Sequence, residues 1–163
     1  MKQILFFLLI ACTFTPGVRA QDSGVCFEKG VEWKQVVKKA KKAKRLIFLD
    51  CYTSWCGPCK KEMPAMKALE AEYKDNKDIV FMGISVDASK NIQKWKDFVI
   101  KEQLPGVQLF AGDMAGPALS KPYKITGIPR FMLVGKDGSL LYMDAPRPSS
   151  SEIRAVLNDA LKK

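Results

Sequence analysis

A chain of 163 residues, 47% of them apolar, supplies the core of one domain of ordinary size and not of two. Lysine and arginine number 27 against 17 aspartates and glutamates, a formal charge of +10, and there is no histidine, so a zinc site of mixed cysteine and histidine ligands is excluded.

Residues 1–20 read as an export leader. Lys2 gives a short positive start, Ile4 to Ala11 is an apolar block, and Val18-Arg19-Ala20 places small residues where a signal peptidase reads. Cleavage is expected before Gln21, leaving 21–163 as the folded domain with a formal charge of +8, since Lys2 and Arg19 leave with the leader. The apolar block is too short to remain as a membrane anchor. A competing expectation makes Leu9-Ile10-Ala11-Cys12 a lipobox, with Cys12 lipidated and the protein tethered. Both imply export, to the periplasm in a Gram-negative cell.

The lysine-rich stretch Lys34 to Arg45 fits an amphipathic helix with Trp33, Val36, Val37 and Ala40 toward the core and the lysines solvated. A footprint for nucleic acid or anionic lipid is the competing reading, but no nucleic-acid motif accompanies it and no such partner is expected. Arg45 to Tyr52 is a buried strand. Lys60 to Tyr73 is helical, with Met63, Met66, Leu69 and Tyr73 on one stripe. Ile79 to Asp87 is a second buried strand, and Trp95, Phe98 and Val99 mark the next helix. A short strand at QLFAG and a short helix over Met114 to Tyr123 follow. The strand PRFMLV, a turn at Lys136 to Ser139 and LLYMD form a hairpin, and Ser149 to Ser151 lead a last helix to Leu161. Alternating strands and helices closed by a hairpin predict an α/β fold, a mixed sheet covered on both faces.

Between the first strand and its helix stands DCYTSWCGPCKKEMP, Asp50 to Pro64. Cys51, Cys56 and Cys59 have the C-x4-C-x2-C spacing of plant-type iron-sulfur proteins, but that pattern needs a fourth thiolate downstream and no cysteine follows Cys59. No metal is therefore expected. Cys51, ending an apolar strand, reads as a small core residue, or as the partner of Cys26 in a structural bridge. A helix beginning at Cys56 aims backbone N–H groups and the positive dipole end at its sulfur, which makes Cys56 the nucleophile. Cys59, one turn on, resolves the mixed disulfide. Pro58 in the first turn costs no hydrogen bond, and Gly57 leaves the nucleophile open to a protein partner.

WCGPC after a strand carrying Asp50, with Ile128-Pro129 before a later strand, resembles the thioredoxin family over most of the expected mature chain. The resemblance implies a thioredoxin fold, with Asp50 as the buried carboxylate that helps deprotonate Cys59, Trp55 as the aromatic flank and Pro64 as the helix kink. It also implies a cis-proline loop at Ile128-Pro129 whose backbone pairs with substrate. Lys61-Glu62-Met63-Pro64 and the long segment from Asp87 to Gly127 resemble the exported TlpA/ResA-like branch, which carries a helix and strand insert after the second core strand. In that branch the glutamate matched by Glu62 takes part in the acid-base chemistry; the plainer reading of Glu62 is an exposed helix charge. Two positions depart from the thioredoxin pattern. Aligned by Asp87, Gly83 stands where the lysine facing the buried aspartate belongs, and Arg130 replaces a common threonine, so it is expected either to supply the missing charge or to touch substrate.

These residues imply an exported thiol-disulfide oxidoreductase, a monomer with no cofactor beyond a redox-active Cys56–Cys59 disulfide. It would reduce disulfide-containing exported proteins, apocytochromes among the compatible substrates, and be recharged by a membrane thiol reductant. Trp55, Gly57, Pro58, Ile128 and Pro129 would form the substrate surface. Two alternatives compete. A peroxiredoxin-like peroxidase would use Thr53, three residues before Cys56, although Leu49 stands where its proline belongs. A non-catalytic binding module of the same fold would work through the basic helix.

Overall fold

The computed structural model describes residues 26–27 and 33–163. The leader, the cleavage point before Gln21 and Cys12 lie outside the described residues.

Leu46–Tyr52 (β2) is buried along its whole length, which explains the apolar run that only Asp50 interrupts. Alternation sends Ile47, Leu49 and Cys51 to one face, where Trp33 and Val36 of α1 (Trp33–Lys42) cover them. Leu46 and Phe48 go to the other face, against Leu69 of α2 (Gly57–Glu72) and Leu157 of α4 (Ile153–Leu161). As the helical period predicts, α1 buries Trp33 and Val36 and exposes its lysines.

Among the described residues the sheet has six strands in the order β1-β4-β3-β2-β5-β6. β1 (Cys26–Phe27), β4 (Val107–Phe110), β3 (Ile79–Ser85) and β2 are parallel neighbours, whereas β5 (Arg130–Val134) and β6 (Leu140–Tyr142) run antiparallel. The hairpin between β5 and β6 turns through Gly138 at φ +80°, a conformation that strains a residue with a Cβ. Helix α3 (Ile92–Lys101) and β4 separate β3 from the Ile128-Pro129 loop, which is the insert expected there. No helix among the described residues is long and apolar enough to cross a membrane.

Three expectations need correction. The helix over Met114 to Tyr123 is instead a 3-10 turn at Gly112–Met114 followed by a π turn at Gly116–Ser120. Gly112 at φ +55° and Pro117, which has no N–H to donate, break a regular α-helical ladder there. The last helix starts at Ile153, two residues beyond the serines, with Glu152 and not a serine at its N-cap. The bridge between Cys26 and Cys51 is absent: Cys51 is a free thiol, and β1 lies three strand spacings from β2, roughly 14 Å, beyond the reach of a disulfide.

Candidate active site

Cys56 is the N-cap of α2, in extended conformation, and its sulfur accepts the backbone N–H of Cys59 at 3.1 Å. One turn apart, the two cysteines have Cα atoms 5.3 Å apart and are joined as a disulfide. Cys59 is 1% exposed and Cys56 5%. The helix terminus favours a thiolate at Cys56 once the bridge is reduced, because its unpaired N–H groups and dipole point at that sulfur. Trp55 is 70% exposed beside it. Gly57 and Pro58 are also exposed, and no atom lies within 4 Å of where a Gly57 side chain would begin, so the approach to the dithiol is open.

The loop leading into the dithiol is held by Asp87, a role that no local sequence pattern announces. Just beyond β3 and fully buried, its carboxylate accepts the Ser54 N–H at 2.8 Å, the Ser54 hydroxyl at 3.1 Å and the Ser85 hydroxyl at 2.7 Å. Three bonds to one charged acceptor fix the backbone two residues before Cys56.

Asp50 sits on the α2 face of the sheet, in register with Gly83 of β3 and Phe131 of β5. Burial, followed by the nearby negative charge of Glu62, raises its carboxyl to about 7. Its Oδ1 has no protein partner. It borders a cavity of about 20 Å³ shared with Tyr52, Met63, Glu70, Gly83 and Gln108, room for a single water.

The strand position where a lysine was sought is filled from another direction. A Cβ at Gly83 would run into the Gln108 side-chain Oε1 and come within 2.9 Å of the Tyr52 ring. Tyr52 donates its hydroxyl to Gln108 Oε1 at 2.9 Å and accepts the Trp95 indole N–H at 2.9 Å, while Gln108 Nε2 donates to the Pro105 carbonyl at 2.7 Å. A neutral network thus occupies the space of a cation. Lys67 also borders the cavity, but its ammonium is turned to the Glu102 carbonyl.

Arg130 does not supply the missing charge. It pairs across the sheet with Cys51, so it belongs to the face opposite Asp50, and its guanidinium meets Asp144 at 2.7 Å. Glu62 is no exposed helix charge either: it is 8% exposed, accepts the Ser149 N–H at 3.2 Å and hydroxyl at 3.0 Å, and lies 3.5 Å from Arg147. These partners come from 85 and 87 residues away, where nothing in the local pattern announces them. The Ile128–Pro129 bond is cis, and Ile128 packs against the cluster that holds Cys56 and Cys59. Cys51 lies in the α1-face cluster, and burial, then the Asp50 charge, pushes its thiol up to about 12. The three cysteines therefore do not converge.

The sequence model of the thioredoxin-like family matches residues 44–140. The chain belongs to that family. A thiol-disulfide oxidoreductase of Bacillus thuringiensis, ResA, is 32% identical over 111 residues, covering 68% of this thioredoxin-like chain and 60% of the relative. The match therefore spans less than two thirds of that relative's length. Among solved structures, a candidate thiol-disulfide oxidoreductase of Bacteroides vulgatus shares 36% identity at a TM-score of 0.66, covering 77% of this chain and 78% of that one. A thiol-disulfide oxidoreductase of Bacteroides fragilis shares 26% identity at a TM-score of 0.59, over 73% of this chain and 83% of that one. Fold and dithiol thus agree with a thioredoxin-like protein, as the motif implied.

Proposed function

We propose that this protein is a thiol-disulfide oxidoreductase that reduces disulfides in exported proteins. The observation that carries the reading is the Cys56–Cys59 disulfide at the N-terminus of α2, backed by the buried carboxyl of Asp50. In the reduced protein the Cys56 thiolate attacks one sulfur of a substrate disulfide, forming a mixed disulfide and releasing the other sulfur as a thiolate that takes up a proton. Cys59 then gives its proton to Asp50 and attacks the Cys56 sulfur. The second substrate thiol leaves, and Cys56–Cys59 closes as the disulfide seen here. Substrate gains two electrons from the dithiol and two protons, one from solvent, matching the one released when Cys56 ionised, and one that Asp50 received from Cys59 and passes to the leaving thiolate.

A carboxyl raised to about 7 is divided between its two protonation states near neutral pH, which suits a group that takes a proton in one half of the cycle and returns it in the other. Glu62, beside it, adds the like charge that keeps Asp50 basic. No cofactor beyond the disulfide enters the cycle. Trp55, Gly57 and Pro58 on one side and Ile128-Pro129 on the other form the surface for a substrate segment. Residues 1–20 support export, and a membrane dithiol carrier is the fitting class of electron donor; apocytochromes are one fitting class of substrate.

Trapping tests the reading. A Cys59→Ser protein keeps the nucleophile but cannot resolve, so it is expected to accumulate as mixed disulfides through Cys56 with exported proteins, separable on non-reducing gels. Absence of such adducts, with adducts equally absent for Cys56→Ser, would remove the catalytic reading.

A further inference from the structure

A groove of about 350 Å³ is lined by Gly127, Ile128 and Pro129 together with Arg130, Asp144 and Arg147. Ile128 joins it to the cluster around Cys56 and Cys59. Ile128 and Pro129 thus share one groove with both arginines, so a substrate segment paired with that loop meets them.

Both guanidiniums have donors to spare. Arg147 is 57% exposed and lies 3.5 Å from Glu62 Oε1, which is long for a charged pair. Arg130 is only 17% exposed and spends Nη1 on Asp144, whose own side chain is 72% exposed. An ion pair with so exposed an aspartate is weak, whereas the guanidinium itself is largely buried. Within the groove two cations face one anion, on a chain of formal charge +10. Complementarity thus favours an anionic occupant, and the planar fork of arginine suits a carboxylate.

We propose that this groove is a specificity site for disulfide substrates that carry an acidic side chain beside the reactive cysteine, read by Arg147 and Arg130. The assignment rests on the reductase reading above. It places the choice of substrate on two residues outside the CGPC motif.

The test uses two disulfide-bonded peptides, identical except for glutamate or glutamine on both sides of the target cysteine. Prereduced full chain is mixed with each at low salt, and the second-order rate constants are compared within each protein, so that changes in intrinsic reactivity cancel. For the wild type, the glutamate peptide is expected to react roughly tenfold faster, the size of one charge-assisted pair. For Arg147→Gln or Arg130→Gln the ratio is expected to fall below about threefold. A ratio near one in the wild type, or a tenfold ratio that survives both substitutions, overturns the assignment. If the glutamine peptide is reduced while the ratio is one, only the groove assignment fails; if neither peptide is reduced, the reductase reading fails.

Discussion

Asp50 and Cys51 are neighbours on one strand, yet they live in different chemistries. The α1 face of β2 is dry: Ile47, Leu49 and Cys51 pack among apolar side chains, and the Cys51 thiol is held up at about 12, where it cannot serve as a thiolate. The α2 face starts the same way with Leu46 and Phe48, then changes. Asp50 is buried with an unpartnered oxygen, and Tyr52 joins a network with Gln108 and Trp95. One face is built for stability, while the other buries a carboxyl and a polar network. Function here is concentrated where the packing rules are broken.

The comparison can be broken most sharply at the nucleophiles. Cys56→Ser is expected to lower disulfide reduction at least roughly 1000-fold, whereas Cys51→Ala should leave the rate within about twofold, as followed by turbidity during insulin reduction. Equal losses would mean that the faces are not chemically distinct.

On stability the faces should respond with opposite signs. Asp50 has its carboxyl raised from 3.8 to about 7 on folding, so the folded state holds more protons than the unfolded state between those values. This group's contribution is best below pH 4, declines as pH rises to about 7 and is flat above. Asp50→Asn removes this part of the decline and leaves that of Glu70, whose carboxyl burial also raises to about 7. Urea unfolding of the oxidised protein should show the variant more stable than wild type by on the order of 2 to 4 kcal/mol at pH 8, and by little at pH 4. On the dry face, Leu49→Ala should cost about 3 kcal/mol at either pH. Smallest of the set, Gly83→Ala sets a methyl group against Gln108 and Tyr52 and is expected to cost roughly 1 to 3 kcal/mol. A neutral result there would mean that the Gln108 network moves aside freely.

Much of this site was legible before any coordinates. The motif from Cys56 to Cys59, the buried strand ahead of it and the helical stripe of Met63 and Leu69 depend on spacings of a few residues, which sequence displays directly. Its place at the end of an apolar strand likewise set Cys51 apart from the other two cysteines. What was not legible arises between distant segments. Glu62 is buried because Ser149 and Arg147 return to it, and Gly83 is small because Gln108 arrives from β4 to fill its place. Arg130 was an ambiguous departure until its register with Cys51 put it on the face away from Asp50. The clamp by Asp87 on Ser54 belongs to the same class, as does the two-residue strand β1, too short to show a period.

The central claim is that the α2 face tunes a reducing dithiol, and its reduction potential tests that directly. Equilibrating the folded protein with reduced and oxidised glutathione, and quantifying Cys56–Cys59 by thiol alkylation and mass, should give a potential below about −200 mV, in the range of reducing dithiols. A value near about −120 mV, that of strong oxidants, would contradict it.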